Sequence, residues 1–140
     1  MGTASILAMS DAVQGVYTPT VTPLSTLTLA NVSASGSYTH RPGDPYVIIQ
    51  GHIVFDWASN SGKLTISLPT EFPADDSANR YWPIPMRYYA GTGAAVLTYG
   101  EIDADHATYG QSIYFKTDIT ANTNHVIDYF CQYPLKGYAS

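Results

Sequence analysis

The side chains best equipped for chemistry are four histidines, His40, His52, His106 and His125, and three carboxylates at alternate positions, Glu101, Asp103 and Asp105. No pair of the histidines has the spacing of a helical or hairpin metal site. The three carboxylates would project from one face of a strand running into a turn, and Asp75-Asp76 adds an acidic pair in a loop. Hard oxygen ligands like these could hold Ca²⁺, but neither group has the glycine-punctuated loop of a calcium motif; solvated carboxylates and turn caps are the plainer reading. No metal and no other cofactor is expected. Glycoside hydrolysis needs two carboxylates opposed across a cleft, and nothing in the spacing marks such a pair or singles out an acid. The chain has no G-x-S-x-G, no Walker glycine loop, no dinucleotide fingerprint and no Cys-His pair at useful spacing, so it is not expected to be an enzyme.

Binding chemistry is better represented. Arg80, Tyr81, Trp82, Arg87, Tyr88 and Tyr89 crowd one proline-rich segment. Aromatic and arginine enrichment marks either a protein interface or a platform for a glycan. The competing reading puts Trp82 and one tyrosine of the pair in the core. Because Tyr88 and Tyr89 are adjacent in a strand, at most one can face inward.

The elements that must position these residues are strands. From Tyr46 to Ala58, Val47, Ile49, Gly51, Ile53, Phe55 and Trp57 share one face, a period of two over a long strand. The other face carries Tyr46, Gln50, His52 and Asp56 but also Ile48 and Val54, so it is expected to meet a second layer or another subunit. Ile48, His52 and Val54 are therefore the candidate trimer contact, where three copies of His52 could meet on an axis. Turn residues 59–62 followed by alternating Leu64, Ile66 and Leu68 predict a hairpin ended by Pro69. Shorter strands are expected near 17–21 and 26–30, with Pro19 and Pro23 arguing for sheet edges. Others are expected at 84–90, 94–103, 112–117 and 125–133, with one or two helical turns near 73–79. The fold class is all-β: an antiparallel, jelly-roll-like β-sandwich of about eight strands over residues 15–140, preceded by an extended N-terminal arm over residues 1–14.

The whole composition fits a surface-building protein. A chain of 140 residues is one domain, with 45% hydrophobic residues, only 12% charged and twelve tyrosines. Such a surface is polar but weakly charged, as where large areas meet proteins or sugars. The formal charge is −5 and the six basic residues are scattered, which excludes nucleic acid as a natural partner. Cys131 is the single cysteine, so no internal disulfide forms and stability must come from packing or self-association. The opening MGTASILAMSDAVQ lacks a basic region and a proper apolar core for secretion, no stretch is long enough to span a membrane, and Ile6 spoils a myristoylation signal. Asn31-Val32-Ser33 fits a glycosylation acceptor and is taken as chance.

Four stretches together resemble a known family: GVYTPTVT at 15–22, NVSAS at 31–35, Y-x-x-R-P-G-D-x-Y-V-I-I-Q-G-H-I-V-F-D from Tyr38, and GKLTISLP at 62–69. The pattern is similar to the G-x-Y-T-P-T domain of bacteriophage virion proteins, in which a Y-x-R-x-G turn, a long V-x-V-x-G-x-V strand and an I-S-L-P terminator follow the opening. The resemblance covers roughly residues 15–70 and implies a small β-sandwich that assembles as a trimer. Here the usual Arg-Val-Gly turn is replaced by Arg41-Pro42-Gly43-Asp44-Pro45, which stiffens the approach to the long strand.

Such domains serve both as head or capsid proteins and at the tips of tail fibres. The expected function is a trimeric capsid decoration, or cement, protein on the virion surface, bound to the major capsid protein lattice. The alternative is a tail-fibre or head-fibre tip that recognises a host glycan or protein. A start at Met1 only some fourteen residues before the sandwich favours the capsid. Ile6, Leu7 and Met9 give the arm an apolar surface suited to a partner's groove or strand edge.

Overall fold

The structure is a computed structural model that describes residues 12–77, 80–91, 93–119 and 124–137. Its strands in chain order are β1 (Val13–Tyr17), β2 (Val21–Pro23), β3 (Thr28–Ala30), β4 (Ser33–His40), β5 (Tyr46–Phe55), β6 (Trp57–Ser59), β7 (Leu64–Ser67), β8 (Trp82–Ala90), β9 (Val96–Ile102), β10 (Ser112–Phe115) and β11 (His125–Pro134). Nine of them form one antiparallel sheet in the order β1-β4-β5-β11-β8-β9-β10-β7-β2, and β3 pairs with β6 in a small second sheet.

The chain itself requires the large sheet to curl. Its two edge strands, β1 and β2, are joined by residues 18–20 alone. That link reaches at most about 14 Å, whereas the edges of a flat nine-stranded sheet would stand roughly 38 Å apart. The edges must therefore approach each other, with Pro19 between them and Pro23 on the β2 edge, the positions expected of strand prolines. Curling encloses one face. Val47, Ile49, Ile53 and Phe55 of β5 meet Ile84, Met86 and Tyr88 of β8, Ile113 and Phe115 of β10, and Ile127, Tyr129 and Tyr133 of β11 in one buried cluster. The all-β antiparallel class is thus observed, but where two sheets of about eight strands were expected, the ladder runs unbroken through nine.

The register corrects several local expectations. The stretch 46–58 is not one strand. At Asp56 the backbone N–H turns to Ala30 (3.0 Å), and the Asp56 carboxylate accepts a 2.7 Å hydrogen bond from Asn31, itself in the left-handed region at φ 53°. The one-residue break reverses the alternation, so Ala58 is buried and Trp57, expected on the inner face, is exposed. The predicted hairpin between β5 and β7 does not form. β5 pairs with β4 and β11, and β7 with β10 and β2, while the intervening β6 pairs with β3 in the second sheet. The described residues of 73–79 form no helical turn; Ala74 instead bridges Leu135.

Two turns have clear local causes. Arg41-Pro42-Gly43-Asp44 joins β4 to β5 as a type II turn: proline is preset at the second position, Gly43 takes φ 90°, and Asp44 N–H returns to Arg41 at 3.0 Å. The N-terminal boundary also moves. Val13 and Gln14, placed in the arm on sequence, pair with His40 and Thr39 as the start of β1. Ile6, Leu7 and Met9 lie outside the described residues.

Candidate functional site

Two surfaces gather the residues singled out above. The first is a cleft of about 400 Å³ where the starts of β5 and β8 meet the ends of β9 and β11. It exists because β8 begins Trp82-Pro83-Ile84-Pro85. Neither proline has an N–H to donate, and the ladder between β8 and β11 stops at Met86 opposite Tyr129. Beyond that point the strands are bridged by a side chain: the Trp82 indole N–H donates to the Gln132 carbonyl at 2.6 Å. This bond fixes the ring, whose centroid lies 6.0 Å from that of Tyr46 at an interplanar angle of 42°.

Charge enters the cleft as a fixed pair. Asp75 Oδ1 accepts from the Ser77 hydroxyl (2.7 Å) and the Ser77 N–H (3.1 Å), and its Oδ2 has a longer contact to Arg80 at 3.4 Å. The Ser77 bonds, with help from the Arg80 charge and against partial burial, hold the Asp75 carboxyl below its usual range, so it is ionised at neutral pH. The Asp75 side chain is only 5% exposed, whereas that of Arg80 is 62% exposed. Tyr81 completes the rim, and Tyr133 and Ile102 form an apolar floor. Of the six-residue platform read from sequence, Arg80, Tyr81 and Trp82 come together here. Tyr88 does not join them; it lies in the core, where its hydroxyl meets His125 Nδ1 at 2.8 Å. Arg87 and Tyr89 lie elsewhere on β8, with the guanidinium 5.5 Å from the ring centroid. Tyr46 and Asp75 were not assigned to this platform: the sequence placed Tyr46 on the second face of the long strand and Asp75 in an acidic pair with Asp76. Tyr46 is hidden in sequence by its place at the start of an apolar strand, and no local signal attaches Asp75 to Trp82.

The second surface is the outer face of the sheet across β1, β4, β5, β11, β8 and β9. Cross-strand register aligns Val16, Ser37, Gln50 and Phe130 in one row, and Ser35, His52, Asp128, Arg87 and Leu97 in the next. His52 and Asp128 are hydrogen-bonded across β5 and β11. Ile48, His52 and Val54 all stand on this face, as their alternation requires, with Ile48 and His52 exposed. Phe130 is 66% exposed and Leu97 90% exposed, and Val16 and Tyr99 are exposed as well. These four were missed, although Phe130 carried a signal: it is a large apolar residue at the polar phase of a strand whose inner phase is Ile127, Tyr129, Cys131 and Tyr133.

The remaining titratable candidates are spread apart. Asp103 contacts Asp105, and that hydrogen bond, with some burial and the neighbouring charges, raises its carboxyl above the usual range. Glu101 instead lies 4.0 Å from Lys116, and Asp76 pairs with Lys136 at 2.9 Å. His106 stacks on Tyr109 and its Nδ1 accepts from the Thr108 N–H at 3.0 Å, a turn-capping role. Among the described residues, no three His, Cys, Asp or Glu side chains converge as a metal-holding group. Cys131 is buried, and loss of water pushes its thiol up to about 12. No helix among the described residues is long and apolar enough to cross a membrane.

No protein-family model and no curated protein matches the chain. Among solved structures, the crystal structure of the Dettilon tailspike protein (gp208) aligns over 85% of this chain with a TM-score of 0.43 and 20% identity. The aligned part is 23% of that protein, so the chain spans about a quarter of its length.

Proposed function

We propose that this chain is a non-catalytic structural protein of a bacteriophage particle, a homotrimer joined through the outer face of its sheet and bound to the major capsid protein lattice as a decoration or cement protein. The observation that carries the association is the open outer face, on which Val16, Ile48, Leu97, Tyr99 and Phe130 stand exposed in a chain with few charges. Exposed large side chains contiguous over several strands mark an interaction surface. Six strands with roughly 20 Å of shared length give a face on the order of 500 Å² before side-chain relief, comparable with the roughly 800 Å² per partner of a stable interface. The resemblance of residues 15–70 to the G-x-Y-T-P-T domain supplies the virion and the trimer.

A second reading, a fibre tip that recognises a host glycan or protein, draws on the aromatic cleft. Imaging of purified particles labelled with an antibody against this protein separates the two. Label distributed over the head supports the decoration reading. Label confined to the tail or to fibre ends replaces it with the receptor-binding reading, and unlabelled particles contradict both.

A further inference from the structure

We propose that the cleft formed by Tyr46, Asp75, Arg80, Tyr81 and Trp82 is a carbohydrate site that takes a neutral hexopyranose unit. A pyranose has a face of C–H groups and an equator of hydroxyls, and recognising it takes a fixed aromatic surface beside directional donors and acceptors. Trp82 is held by its bond to Gln132 and stands at an angle to Tyr46, so two aromatic rings form walls that do not need ordering when a ligand arrives. Tyr81, 58% exposed, offers a third.

The polar component has the matching asymmetry. Asp75 Oδ1 already accepts two hydrogen bonds from Ser77, which orients the carboxylate, while among the described residues Oδ2 has only the 3.4 Å contact to Arg80. Oδ2 can therefore accept from one sugar hydroxyl as the mostly exposed guanidinium donates to the next, so that a vicinal diol bridges acceptor and donor. The two opposite charges leave no net charge to attract a carboxylated or sulfated sugar, hence a neutral one. A volume of about 400 Å³ lies within the range of small-molecule sites and accommodates one or two sugar rings.

The cleft deepens the receptor-binding reading, on which only the source of the sugar rests. The test uses the full chain carrying Trp57→Phe, which removes the exposed second indole and leaves Trp82 as the fluorescent reporter. Glucose, galactose, mannose and short neutral oligosaccharides are titrated, with N-acetylneuraminic acid as the charged comparison. A saturable change for at least one neutral sugar, stronger than for N-acetylneuraminic acid, is expected. Asp75→Asn and Tyr81→Ala should each weaken it about tenfold, the scale of one lost charge-assisted bond or stacking surface. Tyr81 is on the rim, so its variant tests the site even if Asp75→Asn fails to fold. No saturable change with any neutral sugar overturns the proposal, as does undiminished binding by Tyr81→Ala. If free hexose binds but the protein does not adhere to host cells, the sugar site stands and the receptor-binding reading falls.

Discussion

Tyr17, Gly36, Gly51 and Tyr129 stand side by side on β1, β4, β5 and β11. The two tyrosine rings lie over the two glycines and their hydroxyls meet at 2.8 Å. The space over Gly51 is fully used, because a Cβ there would lie 2.2 Å from the Tyr129 ring. Gly51→Ala should displace that ring, break the hydroxyl pair and cost about 1–3 kcal/mol of stability, as overpacking does; a denaturant titration measures it, and unchanged stability would contradict the packing described. Titration gives a second prediction. Burial raises Tyr17 and Tyr88 to about 12 from 10.0 and Cys131 to about 12 from 9.0, and raises Tyr129 and Tyr133 as well. Below pH 9 both folded and unfolded chains keep these protons; between the unfolded and folded values only the folded chain does, so stability falls as pH rises. Melting temperature should therefore drop from about pH 9 to 12, and a flat profile would contradict these burials. At this scale the sequence was partly misleading. The abundance of tyrosine reads as surface chemistry, yet Tyr88, Tyr129 and Tyr133 are core residues whose hydroxyls find partners in His125, Tyr17 and the Phe72 carbonyl.

Among the elements, β1 does two things with five residues. It forms an edge of the sheet by pairing with β4 and delivers Tyr17 over Gly36. Removing residues 2–11 leaves this strand in place. Removing residues 2–17 takes away a largely buried tyrosine and its hydroxyl bond, and should cost about 3 kcal/mol or more. Thermal or denaturant unfolding of both truncations tests this; equal stabilities would mean that β1 is not part of the folded domain. Strand positions were legible because a half-buried strand alternates, as Val47, Ile49, Ile53 and Phe55 do. Partners were not. A short turn at 59–62 argues for a β5–β7 hairpin, but the choice is made by the break at Asp56 and by long-range pairing with β11, which leave no local mark. The same limit hid half of the cleft: Pro83 and Pro85 announce a ladder that must stop, but not that Tyr46 and Asp75 stand across the gap.

For the whole molecule, the curl of the sheet sorts the side chains into an enclosed inner face and an outer face left open. Ile48, His52 and Val54 were placed on that second face by alternation alone, and Leu97 and Phe130 extend it across β9 and β11. Exposed apolar area of this kind favours association, and a charge placed at its centre should oppose it without touching the core. Phe130→Asp should thus remain folded while weakening self-association on the order of a hundredfold or more, as loss of a central interface aromatic does. Light scattering at micromolar concentration, applied to the intact chain and to Phe130→Asp under the same conditions, reads association through this face. The intact protein should show three times the 15.2 kDa chain mass and the variant a single chain mass. An intact protein that runs as a folded monomer, or a Phe130→Asp variant that remains fully trimeric, would contradict association through this face.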